Sequence, residues 1–318
     1  MLGYFGPAGT FTHQALRTLG TGDARPFSSV VSAITAAAAG EVEASLVPIE
    51  NSVEGGVSAT LDTLAAVGGL QIIREVVIPV QFGLYVRPGS TLADVTSVLT
   101  HPHAAAQCRG WLDAHLPKGA DITEGGSTAG AAKEVSDPFS RYDAAICAPV
   151  AADMYNLVPA AERIGDNANA VTRFVLVGRR GPVAARTGDD RTTVVAFMHE
   201  DHPGALLDIL QQFAFRGINL SRIESRPTKD QLGSYCFSID AVGHIDDERM
   251  AAALKGLHRV CSEVTFLGSY PHAVVDGSPA PVQPPTPAGS TDRAYREAEA
   301  WFAEVTGRSV EQQSHVAD

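Results

Sequence analysis

Residues 44–64 read ASLVPIENSVEGGVSATLDTL, and their pattern decides the fold. ASLVPIE is an apolar run of strand length. Glu50, Asn51 and Ser52 follow, Gly55 and Gly56 permit close backbone approach, and helical spacing takes over in VSATLDTL. Polar side chains at the C-terminal end of a buried strand are where α/β proteins place ligand groups. The competing reading is a capped loop that binds nothing.

Toward the N-terminus, LGYF is a strand, and GPAGTFT turns into a helix around Thr12–Leu19. Ser28 or Ser29 caps the helix VVSAITAAAAG, which stops at Gly40. The loop GPAGTFT would present amides and the hydroxyls of Thr10 and Thr12 to a carboxylate. It is equally an ordinary Thr-capped turn.

Toward the C-terminus, LQIIREVVIPVQFGLYVRPG gives two β-rich runs broken at Pro79. TSVLTH is a strand, and Pro102 opens one helix, HAAAQCRGWLDAHL. A helix STAGAAKEV capped by Ser127, a strand YDAAICA, a helix PVAADMYNL and a strand VTRFVLVG complete the series. Strands alternating with helices argue for α/β layers around a mostly parallel sheet. Two such lobes, joined by extended crossings at Pro79 and near Asn167–Thr172, leave a cleft that ligands favour. Along VTRFVLV, Thr172 and Phe174 share one face and Arg173 takes the other. If the strand is regular, one of Thr172 and Arg173 is near the chemistry and the other is structural.

A linker, GRRGPVAARTGDD, precedes a different order. From Thr192 to Ser269 the elements run βαββαβ, the ferredoxin-like arrangement, whose exposed edges invite a second copy. DGSPAPVQPPTPAGS is an extended linker. DRAYREAEAWFAEV aligns Tyr295, Ala298, Trp301, Phe302 and Val305 on one stripe. A lone helix of that length is marginal in water, so it should dock on its own chain or a neighbour.

Composition removes several classes. Of 318 residues, 45% are hydrophobic and 19% charged, too apolar for a disordered chain. The net charge of −12, with four lysines among 24 basic residues, argues against nucleic acid. No apolar run has the length of a membrane span, and no basic region precedes the apolar start of the chain, so a soluble cytoplasmic protein without a cleaved signal is expected. Cys108, Cys147, Cys236 and Cys261 are far apart and read as reduced and packed. His101 and His103 have no third ligand in register, so no metal is expected.

GPAGTFT, PIENSVEGGV, HPHAAAQC and TRF, followed by PGALL, IESRP and GSYCFSIDAVGH, carry a resemblance in their joint order and spacing. The chain resembles monofunctional bacterial prephenate dehydratases with a C-terminal ACT regulatory domain. The resemblance implies a two-lobed, periplasmic-binding-protein-like catalytic domain over 1–180 and a ferredoxin-like ACT domain over 192–270. The linker (271–290) and helix (291–306) lie beyond it. One departure is Asn169, three residues before Thr172 where the family often has Asn two before.

The implied reaction takes prephenate to phenylpyruvate, carbon dioxide and water, without cofactor. The TRF string, Thr172, Arg173 and Phe174, carries catalysis. Thr172 is the essential hydroxyl, and Arg173 either supplies charge or braces the lobes. Thr10, Thr12, Glu50, Asn51, Ser52 and Gly55 are the candidate substrate residues. The effector is L-phenylalanine, held by Gly204, Ala205, Leu206 and Leu207 with Glu224, Ser225, Arg226 and Pro227. The expected particle is a homo-oligomer, a homotetramer built as a pair of dimers. The rival of another class is a non-catalytic amino-acid-sensing protein; TRF together with ENS discriminates against it.

Overall fold

Leu2–Phe5, Ala24–Phe27, Ser97–Thr100, Asp121–Glu124 and Ala144–Cys147 are short parallel strands, each followed by a helix. The computed structural model describes residues 1–20, 22–199, 202–228, 234–275 and 285–307. The chain divides into two compact units, one holding Met1–Leu70 and Arg74–Arg180, the other Gly181–His272 and the tail.

The first unit carries two sheets. In one, Ala24–Phe27, Leu2–Phe5, Ala44–Asn51, Val171–Arg179 and Leu70–Pro79 lie side by side in that order. Leu2–Phe5 runs parallel to Ala24–Phe27 and Ala44–Asn51, while Val171–Arg179 is antiparallel to Ala44–Asn51. The core of this lobe gathers Tyr4, Leu16, Leu46, Val76, Ile78 and Phe174. In the other sheet the order is Val158–Ala161, Gly83–Val86, Ala144–Cys147, Ser97–Thr100 and Asp121–Glu124. The chain leaves the first sheet after Pro79 and returns before Val171. The two crossings are bonded to each other, Val80 N donating to Ala170 O at 2.8 Å.

Four details differ from the sequence reading. Ala24–Phe27 and Asp121–Glu124 are edge strands that their sequences, ARPF and DITE, do not announce. The segment expected as one helix after Pro102 is two, Pro102–Gln107 and Arg109–His115, divided at Cys108. The Asp166 carboxylate accepts from the amides of Gly110 (3.0 Å) and Trp111 (3.2 Å), caps the second helix and stabilises the break. The first helix spans Phe11–Thr18.

In the second unit Asp190–Phe197, Ala205–Ala214, Leu220–Pro227, Tyr235–Val242, Glu248–Val260 and Glu263–Pro271 follow in βαββαβ order. The antiparallel sheet has Leu220–Pro227 at one edge and Glu263–Pro271 at the other. Its helices pack Phe213, Met250 and Leu257 against Val194, Phe237 and Ile239 of the sheet.

Part of the expected linker 271–290, residues 276–284, lies outside the described residues. The tail helix, Asp292–Thr306, is fastened to its own chain at its start: Asp292 pairs with Arg186 at 2.9 Å and accepts from Glu248 N at 3.2 Å. The apolar stripe is not what it buries. Within this chain Ala303 is covered, while Trp301, Phe302 and Val305 are exposed.

Candidate active site

A cavity of about 500 Å³ opens between the two lobes of the first unit. Its walls come from loops at the C-terminal ends of parallel strands. Gly6–Thr12 follow Leu2–Phe5, His101–Gln107 follow Ser97–Thr100, and Gly126–Thr128 follow Asp121–Glu124. This is the position that strand polarity favours for ligands.

Thr172 stands directly across from Asn51 on the neighbouring strand, and both line the cavity. Asn51 Nδ2 donates to Thr172 Oγ1 at 2.8 Å. The Asn51 amide cannot be turned round without loss. Its Oδ1 accepts from the backbone amides of Val53 at 2.8 Å and Glu54 at 3.1 Å. Thr172 Oγ1 therefore acts as acceptor toward Asn51 and keeps its proton for another partner. Ser52 ties the same loop to the strand start. Its Oγ accepts from Val171 N at 3.0 Å, and its N–H donates to Val171 O at 2.9 Å.

Arg173 points the other way. Its Nε donates to Glu75 Oε2 at 2.7 Å and its Nη1 to Glu50 Oε2 at 3.2 Å. The Arg173 side chain is 7% exposed and that of Glu75 is 0%. Glu75 Oε1 also accepts from Ala273 N at 2.7 Å. After Arg173 the strand register steps from Glu50 to Pro48, and Ile49 is the extra residue of a β-bulge. Phe174 returns to the cavity wall with Thr172.

Thr10 caps the helix Phe11–Thr18. Its hydroxyl accepts from His13 N at 3.3 Å and donates to Pro7 O at 3.0 Å, and Thr10 and Thr12 both line the cavity. Gly6 holds φ +96°, and a Cβ there would meet the Thr10 side chain at 3.1 Å, so glycine is required for the turn. The opposite lobe presents a second start, Thr128–Ser136, capped by Ser127 Oγ accepting from Gly130 N at 2.9 Å. Sequence reading placed Ser127 only as a cap. Its signal was partial, since a glycine pair and a hydroxyl cap repeat GPAGTFT but the strand before them, DITE, carries no apolar pattern.

Among the described residues no lysine or arginine lines this cavity, and Glu54 contributes a carboxylate. Positive potential comes from the first-turn amides of the two facing helices. His101 caps Pro102–Gln107 by accepting at Nδ1 from His103 N (3.3 Å), which leaves the proton on Nε2. Burial, and then the neighbouring His103, hold its pKa below the usual histidine range. Phe11, Val80, Phe82, Ala104 and Phe174 supply an apolar wall.

Glu50, Ser52 and Gly55 lie beside the cavity and not among its lining residues, and exposed Asn169 is also outside it. Cys108 is in the second lobe's core, where burial pushes its thiol up to about 12 and removes it as a nucleophile. Among the described residues, no three His, Cys, Asp or Glu side chains are placed to hold a metal ion, and no helix is long and apolar enough to cross a membrane.

In the second unit Gly204, with φ +99°, precedes the helix Ala205–Ala214, and Leu206 and Leu207 are exposed at its start. Glu224, Ser225, Arg226 and Pro227 end the edge strand.

The sequence model of the family described as prephenate dehydratase matches residues 2–182, and that of the ACT domain matches 192–259. Prephenate dehydratase of Mycobacterium tuberculosis H37Rv is 45% identical over 322 residues, covering 98% of this chain and 95% of that one. The crystal structure of prephenate dehydratase from Arthrobacter aurescens in complex with L-Phe is 49% identical with a TM-score of 0.88, covering 96% of this chain and 100% of that one. A protein described as a novel type of quorum quenching acylase is 30% identical with a TM-score of 0.77, covering 86% of this chain and 98% of that one.

Proposed function

Because the chain belongs to the prephenate dehydratase family, with an ACT domain after it, we propose that its cleft converts prephenate to phenylpyruvate, carbon dioxide and water under control by L-phenylalanine. The ring carboxylate leaves as carbon dioxide and its bonding pair enters the ring. The ring becomes aromatic as the carbon–oxygen bond breaks with its pair on oxygen. Hydroxide is a poor leaving group and takes up a proton to depart as water.

The observation that carries this reading is the Asn51–Thr172 bond, which leaves the Thr172 proton to be donated. Thr172 donates a hydrogen bond to the departing hydroxyl. Asn51 orients it and does not need to touch a carboxylate. The pyruvyl carboxylate is held by the amides around Thr10–Thr12 and the Thr12 hydroxyl, with the Ser127–Thr128 turn opposite. The apolar wall with Phe174 packs the ring and keeps the second carboxylate poorly solvated. Ser52 and Gly55 shape the loop that carries Asn51. Arg173, with Glu50 and Glu75, braces the sheet behind Thr172.

Phenylalanine binds where Gly204–Leu207 start a helix, completed by Glu224–Pro227 of a second copy paired along the sheet edge. The particle is a pair of such dimers, working in the cytoplasm without metal or cofactor. Incubation of the full chain with prephenate, followed by phenylpyruvate absorbance in alkali, tests the activity. Turnover that survives a chelator and falls with added phenylalanine is expected. A chain that binds prephenate without turning it over would instead be a sensor. Hydrolysis of an N-acyl amide in place of prephenate turnover would favour the acylase-like relative.

A further inference from the structure

We propose that Glu54 is a positioning residue that clasps the two lobes together and thereby sets the Thr172 hydroxyl. The inference rests on the reading of Thr172 as the donor. Glu54 belongs to the loop that leaves strand Ala44–Asn51 in the first lobe. Its Oε2 faces His103 Nδ1 at 2.9 Å, and its Oε1 accepts from Gln107 Nε2 at 2.8 Å. His103 and Gln107 are four residues apart, on one face of the helix Pro102–Gln107 in the second lobe. One carboxylate thus spans the mouth of the cleft with both oxygens engaged.

The same residue is joined to the catalytic hydroxyl through its backbone. Glu54 N–H donates to Asn51 Oδ1 at 3.1 Å, and Asn51 Nδ2 donates to Thr172 Oγ1 at 2.8 Å. Three consecutive hydrogen bonds therefore run from Gln107 in one lobe to Thr172 in the other. Gly55, at φ +83°, turns the chain immediately after Glu54 and so directs the side chain across the cleft.

The contact is built for switching. The side chains of Glu54 and His103 are 40% and 66% exposed, where an ion pair adds little to global stability. A small bias is sufficient to move an equilibrium between open and closed lobes. Closure over the substrate satisfies Glu54, aligns Asn51 and presents the Thr172 proton together.

Prephenate turnover by the full chain tests this, with kcat and KM measured for Glu54→Ala, Glu54→Gln, Gln107→Ala and the double variant Glu54→Ala/Gln107→Ala. Glu54→Ala should lower kcat by about five- to tenfold, the scale of one or two exposed polar contacts, with the thermal midpoint unmoved. Glu54→Gln should stay within about threefold of wild type, since its amide oxygen still accepts from Gln107 and its amide nitrogen faces His103 Nδ1. The double variant should be no slower than Glu54→Ala, because both changes break one clasp. An unchanged kcat in Glu54→Ala, additive losses in the double variant, or a rise in KM alone would overturn the proposal. Glu54→Gln as slow as Glu54→Ala would make Glu54 a proton donor, again overturning it. Full activity in Thr172→Val would instead remove the reading beneath it.

Discussion

Asn51 holds Thr172 as a donor: Nδ2 of Asn51 lies 2.8 Å from Thr172 Oγ1, while two backbone amides occupy Asn51 Oδ1. The asymmetry of a carboxamide, one end donor and the other acceptor, is what fixes the direction of the Thr172 proton. A carboxylate of the same shape would reverse it. Asn51→Asp should keep the loop bonds but accept from Thr172, so kcat should fall by about 10²-fold or more, as for removal of a preorganised donor. Steady-state kinetics at neutral pH, with circular dichroism to verify folding, check this. Asn51→Asp at wild-type rate would show that the polarity of the bond is irrelevant.

Arg173 and Glu75 form a pair that solvent hardly reaches. Removing Glu75 takes the 2.7 Å carboxylate contact from a buried Arg173 and leaves it Glu50 at 3.2 Å, and breaking a buried pair costs up to about 3–5 kcal/mol. Glu75→Ala should therefore lower the urea midpoint strongly. Replacement of both residues by apolar side chains of similar volume should recover part of the loss. Equal midpoints for wild type and Glu75→Ala would refute the bracing role.

Much of this arrangement was legible in the chain. The strand–polar–glycine–helix order of residues 44–64 located the cleft wall, and the alternation of VTRFVLV correctly put Thr172 and Arg173 on opposite faces. Two things were hidden. Edge strands such as ARPF and DITE have one free side and need no apolar pattern, so periodicity does not report them. The partner of Asn51 is equally silent in sequence. Asn51 reads as a ligand group until the register of two strands distant in the chain sets Thr172 across from it. The tail stripe leaves Trp301, Phe302 and Val305 exposed in this chain, while Asp292 anchors the helix start through Arg186 and Glu248.

Asp143 supplies a pH-dependent contribution in the second lobe. Burial raises its pKa, but hydrogen bonds from Thr96 and Ser97 outweigh that and hold it below the usual carboxylate range. Its Oδ2 accepts from the amide and hydroxyl of Thr96 at 3.0 and 2.8 Å, and from both groups of Ser97 at 3.0 Å. A depressed native value means the unfolded chain takes up the proton first. The stabilisation is therefore complete above about pH 5, declines as pH falls through roughly 4, and is lost below the native value. Denaturant midpoints of wild type and Asp143→Asn should differ at pH 7 and draw together as pH falls below about 4. A gap that is constant with pH would show that Asp143 acts only through its shape.

The donor role of Thr172 is tested most directly by kcat for prephenate in Thr172→Val and Thr172→Ser, measured beside wild type. Valine nearly preserves the shape and deletes the proton, whereas serine keeps the proton and drops a methyl group. Thr172→Val should lose about 10²–10³-fold in kcat, and Thr172→Ser should retain much more of the rate. A folded Thr172→Val variant that turns prephenate over at the wild-type rate would contradict the account.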